Sequence, residues 1–176
     1  MSVGLIEMNK ELDEKLCEKY PLIFRDRRAD PSKTCMYWGF SCSDGWYNII
    51  DNLCGCIQNH IDNRLEQIEW AKKWNDKVND ENHEWVSFAD RKEREIPEPV
   101  PQVVAIQVKE KFGGLRFYYS GGDDFIRGAV RMAEYMSYDT CEECGAPGKP
   151  TKGGWIRTLC VEHGGPDDSV DDEENI

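Results

Sequence analysis

Three cysteines and one histidine near the C-terminal end of the sequence have the types and spacing of a metal site. Two residues separate Cys141 from Cys144, and fifteen residues later the same separation recurs between Cys160 and His163. Thiolates and imidazole are the ligands that Zn²⁺ takes in closed tetrahedral sites. The sequence therefore predicts one structural zinc bound by Cys141, Cys144, Cys160 and His163.

The residue after the second cysteine supports this interpretation. Gly145 stands where rubredoxin-like knuckles use a glycine to turn the loop, so that backbone N–H groups point toward the sulfurs. Four protein ligands leave no open position for a substrate water, which disfavours hydrolysis at this metal. Two alternatives stay open on the sequence alone: catalytic or redox use of the cysteines, and a cluster that binds no metal.

Four other cysteines, Cys35, Cys42, Cys54 and Cys56, do not repeat the paired spacing. We expect them to be buried structural thiols. Cys56 and His60 lie one helical turn apart, which leaves open a second metal site or a metal- or thiol-dependent enzyme if these groups converge in a pocket. Because no recognisable nucleophile motif accompanies them, the sequence favours a protein without catalytic residues.

A second candidate site lies on the polar face of a predicted β-hairpin. Lys109, Lys111, Arg116 and Tyr118 alternate with apolar residues and are expected to share one side of the hairpin. Such a face could contact phosphates and stack a base, as the sheet surfaces that bind single strands do. In an acidic chain, three cations also fit a solvated face or a protein-binding surface, so a nucleic-acid-binding module is the alternative function.

The residues that position these sites predict an α+β fold. From Trp46 to about Trp74, apolar residues recur at steps of three and four, which predicts a long N-terminal scaffold helix with Asp44 among its N-cap candidates. A shorter amphipathic helix is predicted over 8–20. Alternation of small and bulky residues predicts a half-buried strand over 34–41.

The predicted hairpin joins strands over 103–108 and 115–119. Gly113 and Gly114 lie between them and suit the positive φ angles of a two-residue turn. With that turn, one face of the hairpin is expected to be an apolar row of Val104, Ile106, Val108, Phe112, Leu115, Phe117 and Tyr119.

A helix and the metal-bound unit follow the hairpin. Asp123 or Asp124 is expected to cap a helix with an apolar face over 125–136. A short strand over 155–159 then brings Cys160 back to the metal. The C-terminal part of the chain is thus predicted to be an antiparallel hairpin, a helix and a zinc-knuckle unit.

We expect three parts along the chain, of which the first two share a core. Residues 1–101 form a helical N-terminal part that ends in a polar, proline-rich connector. Residues 102–165 contain the hairpin, the helix and the knuckle. Residues 166–176 form a disordered acidic tail.

The charge of the chain is concentrated in that tail. The formal net charge is −12, and six acids after Gly165 leave the rest of the chain at −6. No apolar stretch approaches the length of a membrane span, and no signal-peptide pattern opens the sequence. We therefore expect a soluble protein of a reducing compartment, with no membrane partner.

Five segments resemble a known group of proteins. They are the segments 35–40, 44–50, 111–119, 141–148 and 153–160. Segment 111–119 has the pattern KFGxLRFYY. Together these motifs are similar to those of small bacteriophage- and prophage-encoded proteins that end in a Cys-x2-Cys and Cys-x2-His zinc knuckle. The resemblance implies a phage origin and action in the bacterial cytoplasm, and it assigns no catalytic residues. The acidic balance and tail, the aromatic-rich body and the lack of a catalytic constellation favour an accessory protein that binds a host or anti-phage defence protein.

Overall fold

A computed structural model describes residues 7–80 and 92–167 and has a mixed α+β architecture, as predicted. The helices are α1 (Lys10–Lys19), α2 (Tyr47–Val78) and α3 (Asp124–Met136). The strands are β1 (Phe40–Ser41), β2 (Val104–Lys111), β3 (Gly114–Ser120), β4 (Lys149–Pro150) and β5 (Thr158–Leu159). The predicted acidic tail lies outside the described residues from residue 168 onward, and the predicted division at residue 101 stays a prediction.

Helix α2 is the long scaffold helix that the sequence predicts, and it extends slightly beyond the predicted end. Its 32 residues bury one apolar stripe, which begins with Ile50, Leu53 and Ile57. At 1.5 Å per residue the helix is about 48 Å long. Near its C-terminal end, Trp74 donates a hydrogen bond from its indole to the carbonyl of Lys92 (2.9 Å), so the connector packs along the helix.

The hairpin turn is displaced by one residue from its predicted position. Lys111 pairs with Gly114, which leaves Phe112 and Gly113 as the two turn residues, with φ angles of 55° and 76°. Gly114 belongs to β3 because the ring of Tyr138 packs directly against its Cα, where a Cβ would clash. The expected Gly113-Gly114 turn is therefore wrong, because close packing requires the second glycine.

The predicted apolar row on the hairpin is correct only in part. An irregularity in the pairing between Ala105 and Gln107 leaves Ile106 42% exposed, and Phe112 is 68% exposed at the turn. Val104, Val108, Leu115 and Phe117 are buried as predicted, and Ala105, which is not in the predicted row, is buried as well.

The predicted strand over 34–41 is mostly a helical turn. A 3-10 turn over Cys35–Trp38 is capped by Thr34, whose hydroxyl accepts a hydrogen bond from the N–H of Met36 (3.1 Å). Only the last two residues form a strand, β1, in which Phe40 pairs with Val108 of β2 in a parallel arrangement. Met36 and Phe40 are both buried. Their separation of four residues fits one helical turn and also fits the alternation of a strand, so the sequence pattern did not distinguish the two.

Helix α3 closes the exposed edge of the three-stranded sheet, whose order is β1-β2-β3. Asp123 caps the helix by accepting a hydrogen bond from the N–H of Ile126 (3.1 Å), as predicted. Two groups at the C-terminal end of α3 bond to outward N–H groups of β3: Ser137 to Leu115 (2.8 Å) and Glu134 to Phe117 (3.0 Å). The edge strand therefore has side-chain partners at these two positions.

Candidate metal centre

The four predicted ligands converge at one point. Every ligand atom of Cys141, Cys144, Cys160 and His163 lies within 4.8 Å of the others, and this group could hold a metal ion. The Sγ atoms of Cys144 and Cys160 are 3.7 Å apart. His163 faces the cluster through Nδ1, which is 3.6 Å from the Sγ of Cys141 and 3.1 Å from that of Cys160.

These distances fit a tetrahedral ion with sulfur and nitrogen ligands. Bonds of about 2.3 Å to sulfur and 2.05 Å to nitrogen separate two sulfurs by about 3.8 Å, and sulfur from nitrogen by about 3.6 Å. The Cys144–Cys160 and Cys141–His163 separations match these values. The Cys160–His163 separation is shorter than expected by about half an ångström. The sulfurs are also much farther apart than the roughly 2.05 Å of a disulfide.

A tight turn between the first two cysteines sets the geometry. The N–H of Gly145 donates to the carbonyl of Cys141 (2.8 Å), and Gly145 takes the positive φ angle of 77° that its position in the sequence suggested. The N–H of Cys141 donates to the carbonyl of Ala146 (2.7 Å). The chain therefore folds back on itself at this point, which brings both sulfurs to the same side of the loop.

The second ligand pair reaches the site through a very short hairpin. The predicted strand over 155–159 is reduced to β5, Thr158–Leu159, because only these two residues pair with β4. A 3-10 turn over Val161–His163 follows directly, closed by a hydrogen bond from the N–H of His163 to the carbonyl of Cys160 (3.0 Å). This turn directs the imidazole toward the sulfurs.

The backbone around the site favours thiolate at Cys141. Burial acts against ionisation there, but hydrogen bonds from the backbone N–H groups of Cys160, Cys144 and Glu143 lower the pKa of Cys141 to about 7. Thiolate is the form that binds a metal. At Cys144 a backbone hydrogen bond from Ala146 also favours thiolate, but desolvation and hydrogen bonds with the thiols of Cys141 and Cys160 raise the pKa. The loop therefore favours ionisation at Cys141 in particular.

The two residues that precede α2 are hydrogen-bonded to the knuckle, which is the segment 140–163 that carries the four predicted ligands. The N–H of Gly45 donates to the carbonyl of Glu142 (2.8 Å), and the indole of Trp46 donates to the carbonyl of Thr140 (2.8 Å). Gly45 lies so close to the carbonyl of Cys141 that a Cβ would clash with it. The loop over 141–145 and the start of the scaffold helix are thus in direct backbone contact.

An ion pair beneath the loop was not expected from the sequence. Glu142 is fully buried, and Arg157 donates to its carboxylate from both Nε and Nη2. Burial raises the pKa of Glu142, while the charge of Arg157 acts in the opposite direction. The N–H of Ser43 donates to the same carboxylate (3.2 Å). Nothing in the local pattern distinguishes this glutamate from the exposed Glu143 beside it.

The remaining cysteines form no comparable group. Within residues 7–80 and 92–167, the ligands described above are the only set of three or more that could hold a metal. Cys42 and Cys54 are buried as predicted, and burial raises the pKa of both thiols. Cys35 and Cys56 are exposed, so the expectation of buried thiols is wrong for these two.

His60 has partners other than Cys56. His60 bonds through Nε2 to Asp123 (2.8 Å) and stacks on the ring of Phe125. No hydrogen bond joins it to Cys56 among the described residues. His60 thus helps to hold the capping carboxylate of α3 against α2.

The residues of the predicted hairpin surface lie on one face. Lys109 pairs directly with Arg116 across the strands, and its ammonium lies 5.5 Å from the centre of the Tyr118 ring. Lys111 occupies the next position on the same face. Arg116 also donates a hydrogen bond to the hydroxyl of Tyr138 (2.7 Å), an aromatic neighbour that hairpin periodicity could not identify.

An apolar groove runs between α2 and α3 and ends at the knuckle. Its volume is about 350 Å³, and it is lined by Ile49 and Leu53 of α2 and by Met132, Ala133 and Met136 of α3. Met132 and Met136 are 67% and 53% exposed. A helix that exposes large apolar side chains along such a groove is typical of a binding surface.

No protein-family model, no curated protein and no solved structure matches this chain. None of the helices in its described parts combines the length and the apolar character needed to cross a membrane.

Proposed function

We propose that this protein is a zinc-stabilised accessory factor that acts by binding another protein through the groove between α2 and α3. The exposed apolar side chains of Met132 and Met136 beside this groove are the observation that carries the proposal. The proposal assigns no catalytic residue.

Zinc is the metal that the ligand set supports best. Three thiolates and one imidazole in tetrahedral arrangement suit Zn²⁺ or an iron–sulfur centre, and the mixed set with one histidine is a common structural zinc set. Cys141, Cys144, Cys160 and His163 would bind the ion. Its role would be to hold the knuckle closed against Gly45 and Trp46, of which Gly45 lines one end of the groove.

The groove fits a segment that presents apolar side chains at helical spacing. Methionines are flexible and polarisable, so they adapt to such anchors. Asn48 and Asn52 lie along the α2 side and offer amide groups to the polar edge of the segment. The sequence resemblance supports a host or anti-phage defence protein as the partner, and the phage origin stays a prediction.

Substitution in the groove tests this proposal. Zinc-loaded protein is used to capture partners from bacterial lysate, and any recovered protein is then purified and titrated directly. Met132→Glu with Met136→Glu is expected to weaken binding at least about 100-fold, because two buried charges would face apolar anchors.

The matched control is Leu65→Glu, which places the same charge on an exposed apolar position of α2 outside the groove. It is expected to bind like the wild type. A partner that binds both variants equally, or the failure of any purified protein to bind the wild type, would contradict the proposal. Metal analysis is a separate test and is expected to give one zinc per chain.

A further inference from the structure

The exposed face of the hairpin carries cationic side chains that form no ion pair with a carboxylate of the described residues. Lys109, Lys111, Arg116 and the nearby Arg131 of α3 make no ion pair with any described residue, although acids outnumber bases 34 to 22 in the chain. Other cations are paired: Arg27 with Asp13, Lys19 with Asp51 and Arg157 with Glu142. The four cations are therefore available to an external anion.

Aromatic rings accompany these cations. The ammonium of Lys109 lies over Tyr118, and the guanidinium of Arg116 lies 5.7 Å from the centre of the Tyr138 ring. Tyr118 is 42% exposed, so part of its ring remains free. Each contact also restricts the position of a long cationic side chain.

A hollow continues this face from the sheet onto α3. Its volume is about 290 Å³, and it is lined by Arg116, Arg131, Glu134, Tyr135 and Tyr138. Glu134 already accepts a hydrogen bond from the N–H of Phe117, and Tyr135 is 66% exposed. The hollow therefore presents two cations and an open aromatic ring beside a carboxylate that is engaged with the backbone.

We propose that this face binds single-stranded nucleic acid. Lys109, Lys111 and Arg131 contact successive phosphates, and the rings of Tyr118 and Tyr135 stack unpaired bases. Arg116, which donates to the hydroxyl of Tyr138, joins the hairpin face to the hollow that Tyr135 lines. This site shares no lining residue with the groove between α2 and α3, and the two surfaces adjoin on α3, where Arg131 and Tyr135 lie beside Met132 and Met136.

The rings favour a single strand over other polyanions. In a duplex the bases are already stacked on one another, so Tyr118 and Tyr135 would have no base faces to bind. An acidic protein would also pair with the cations, but it has no base faces to stack on the two rings, and a polyglutamate chain is therefore included as a competing polyanion. Stacking on aromatic rings tolerates any base, so we expect little sequence preference.

Fluorescence anisotropy of labelled oligonucleotides of about 12 nucleotides tests the proposal with the zinc-loaded full chain. DNA and RNA single strands of the same mixed sequence, and the corresponding DNA duplex, are the three probes. Both single strands are expected to bind more tightly than the duplex. Three phosphate contacts give a log–log salt slope near −2, or about 20-fold weaker binding at 200 mM than at 50 mM salt.

Variants separate charge from stacking. Tyr118→Leu is expected to weaken binding at least about five-fold, whereas Tyr118→Phe keeps the ring and binds like the wild type. Lys109→Ala and Arg131→Ala are each expected to reduce the salt slope by about 0.7, while Lys72→Ala, on an exposed part of α2, leaves it unchanged.

Three results would overturn the inference. The first is the absence of binding at about 100 µM protein in low salt. The second is binding that the Tyr118→Leu and Lys109→Ala/Arg131→Ala variants retain. The third is a duplex or a polyglutamate chain that binds as tightly as the single strands, since that would make the face a general cationic surface. Failure to find a protein partner for the groove would leave all three measurements unaffected, because they use the wild-type groove.

Discussion

Arg157 reaches across the knuckle to the buried carboxylate of Glu142, with Nε 3.1 Å and Nη2 3.0 Å from Oε2. The pair lies next to the metal ligand Cys141, and Glu142 also accepts a hydrogen bond from the N–H of Ser43. The beginning of α2, the first metal loop and the β4–β5 hairpin therefore meet at one carboxylate.

Arg157→Met is expected to lower the free energy of unfolding by about 3 kcal/mol, because it leaves a buried charge without its partner. Glu142→Gln in the same background is expected to recover part of this loss, since an amide costs less to bury. Urea denaturation with saturating zinc measures both. A loss below about 1 kcal/mol in Arg157→Met would show that the ion pair contributes little.

Removal of the metal is expected to unfold the knuckle and to weaken its attachment to α2. Structural zinc contributes roughly 10 kcal/mol of binding free energy in small metal-stabilised domains, and only part of this is needed to hold one loop. Chelation or Cys144→Ser is expected to lower the melting temperature and change the near-ultraviolet signal of Trp46. Cys35→Ser, the same change at an exposed cysteine outside the site, serves as the control. A metal-free protein with an unchanged melting temperature would contradict a structural role.

Zinc affinity is expected to fall in mild acid. The pKa of Cys141 is lowered to about 7, so this thiol is largely ionised above that pH and becomes protonated below it. Because a proton must leave before the metal binds, this one thiol weakens the apparent affinity about ten-fold per pH unit below pH 7. Competition with a chromophoric chelator from pH 8 to pH 6 measures the dependence. A constant affinity across this range would contradict the assignment of Cys141 as a thiolate ligand.

Gly45→Ala is expected to destabilise the protein by about 2 kcal/mol, because the new Cβ would meet backbone atoms of Cys141, Glu142 and Gly145. Gly128→Ala is the matched control on α3, where nothing lies within 4 Å of the added carbon. It is expected to stabilise the protein by about 0.5–1 kcal/mol through helix propensity. Thermal unfolding of both variants checks the pair, and equal effects would show that α2 is not packed tightly against the knuckle.

Phe112→Asn is expected to stabilise the hairpin by about 1 kcal/mol. Phe112 has a φ angle of 55°, which is unfavourable for a bulky residue, and an Asn-Gly pair suits a turn with two positive φ angles. Phe112→Ala removes the ring but keeps the strained φ angle, so no comparable gain is expected. Urea denaturation compares the two, and a loss of stability in Phe112→Asn would show that the exposed ring makes contacts that offset the strain.

The sequence alone determined the metal ligands and the main helices. The spacing of Cys141, Cys144, Cys160 and His163 is a local property that is typical of a metal site, and the apolar period of α2 extends over many turns. Asp123 was identifiable as a cap for the same reason, since a cap depends on residues within one turn of it.

Only the tertiary structure decided the details that depend on distant neighbours. Gly114 lies in β3 because Tyr138 packs against it, and Phe40 joins β2 only at the end of a helical turn. The buried carboxylate of Glu142 finds its partner in Arg157, which directly precedes β5. The same holds for Arg131 and Tyr135, which α3 places beside the hairpin face. Each of these contacts joins residues far apart in the chain, and local periodicity carries no information about such pairs.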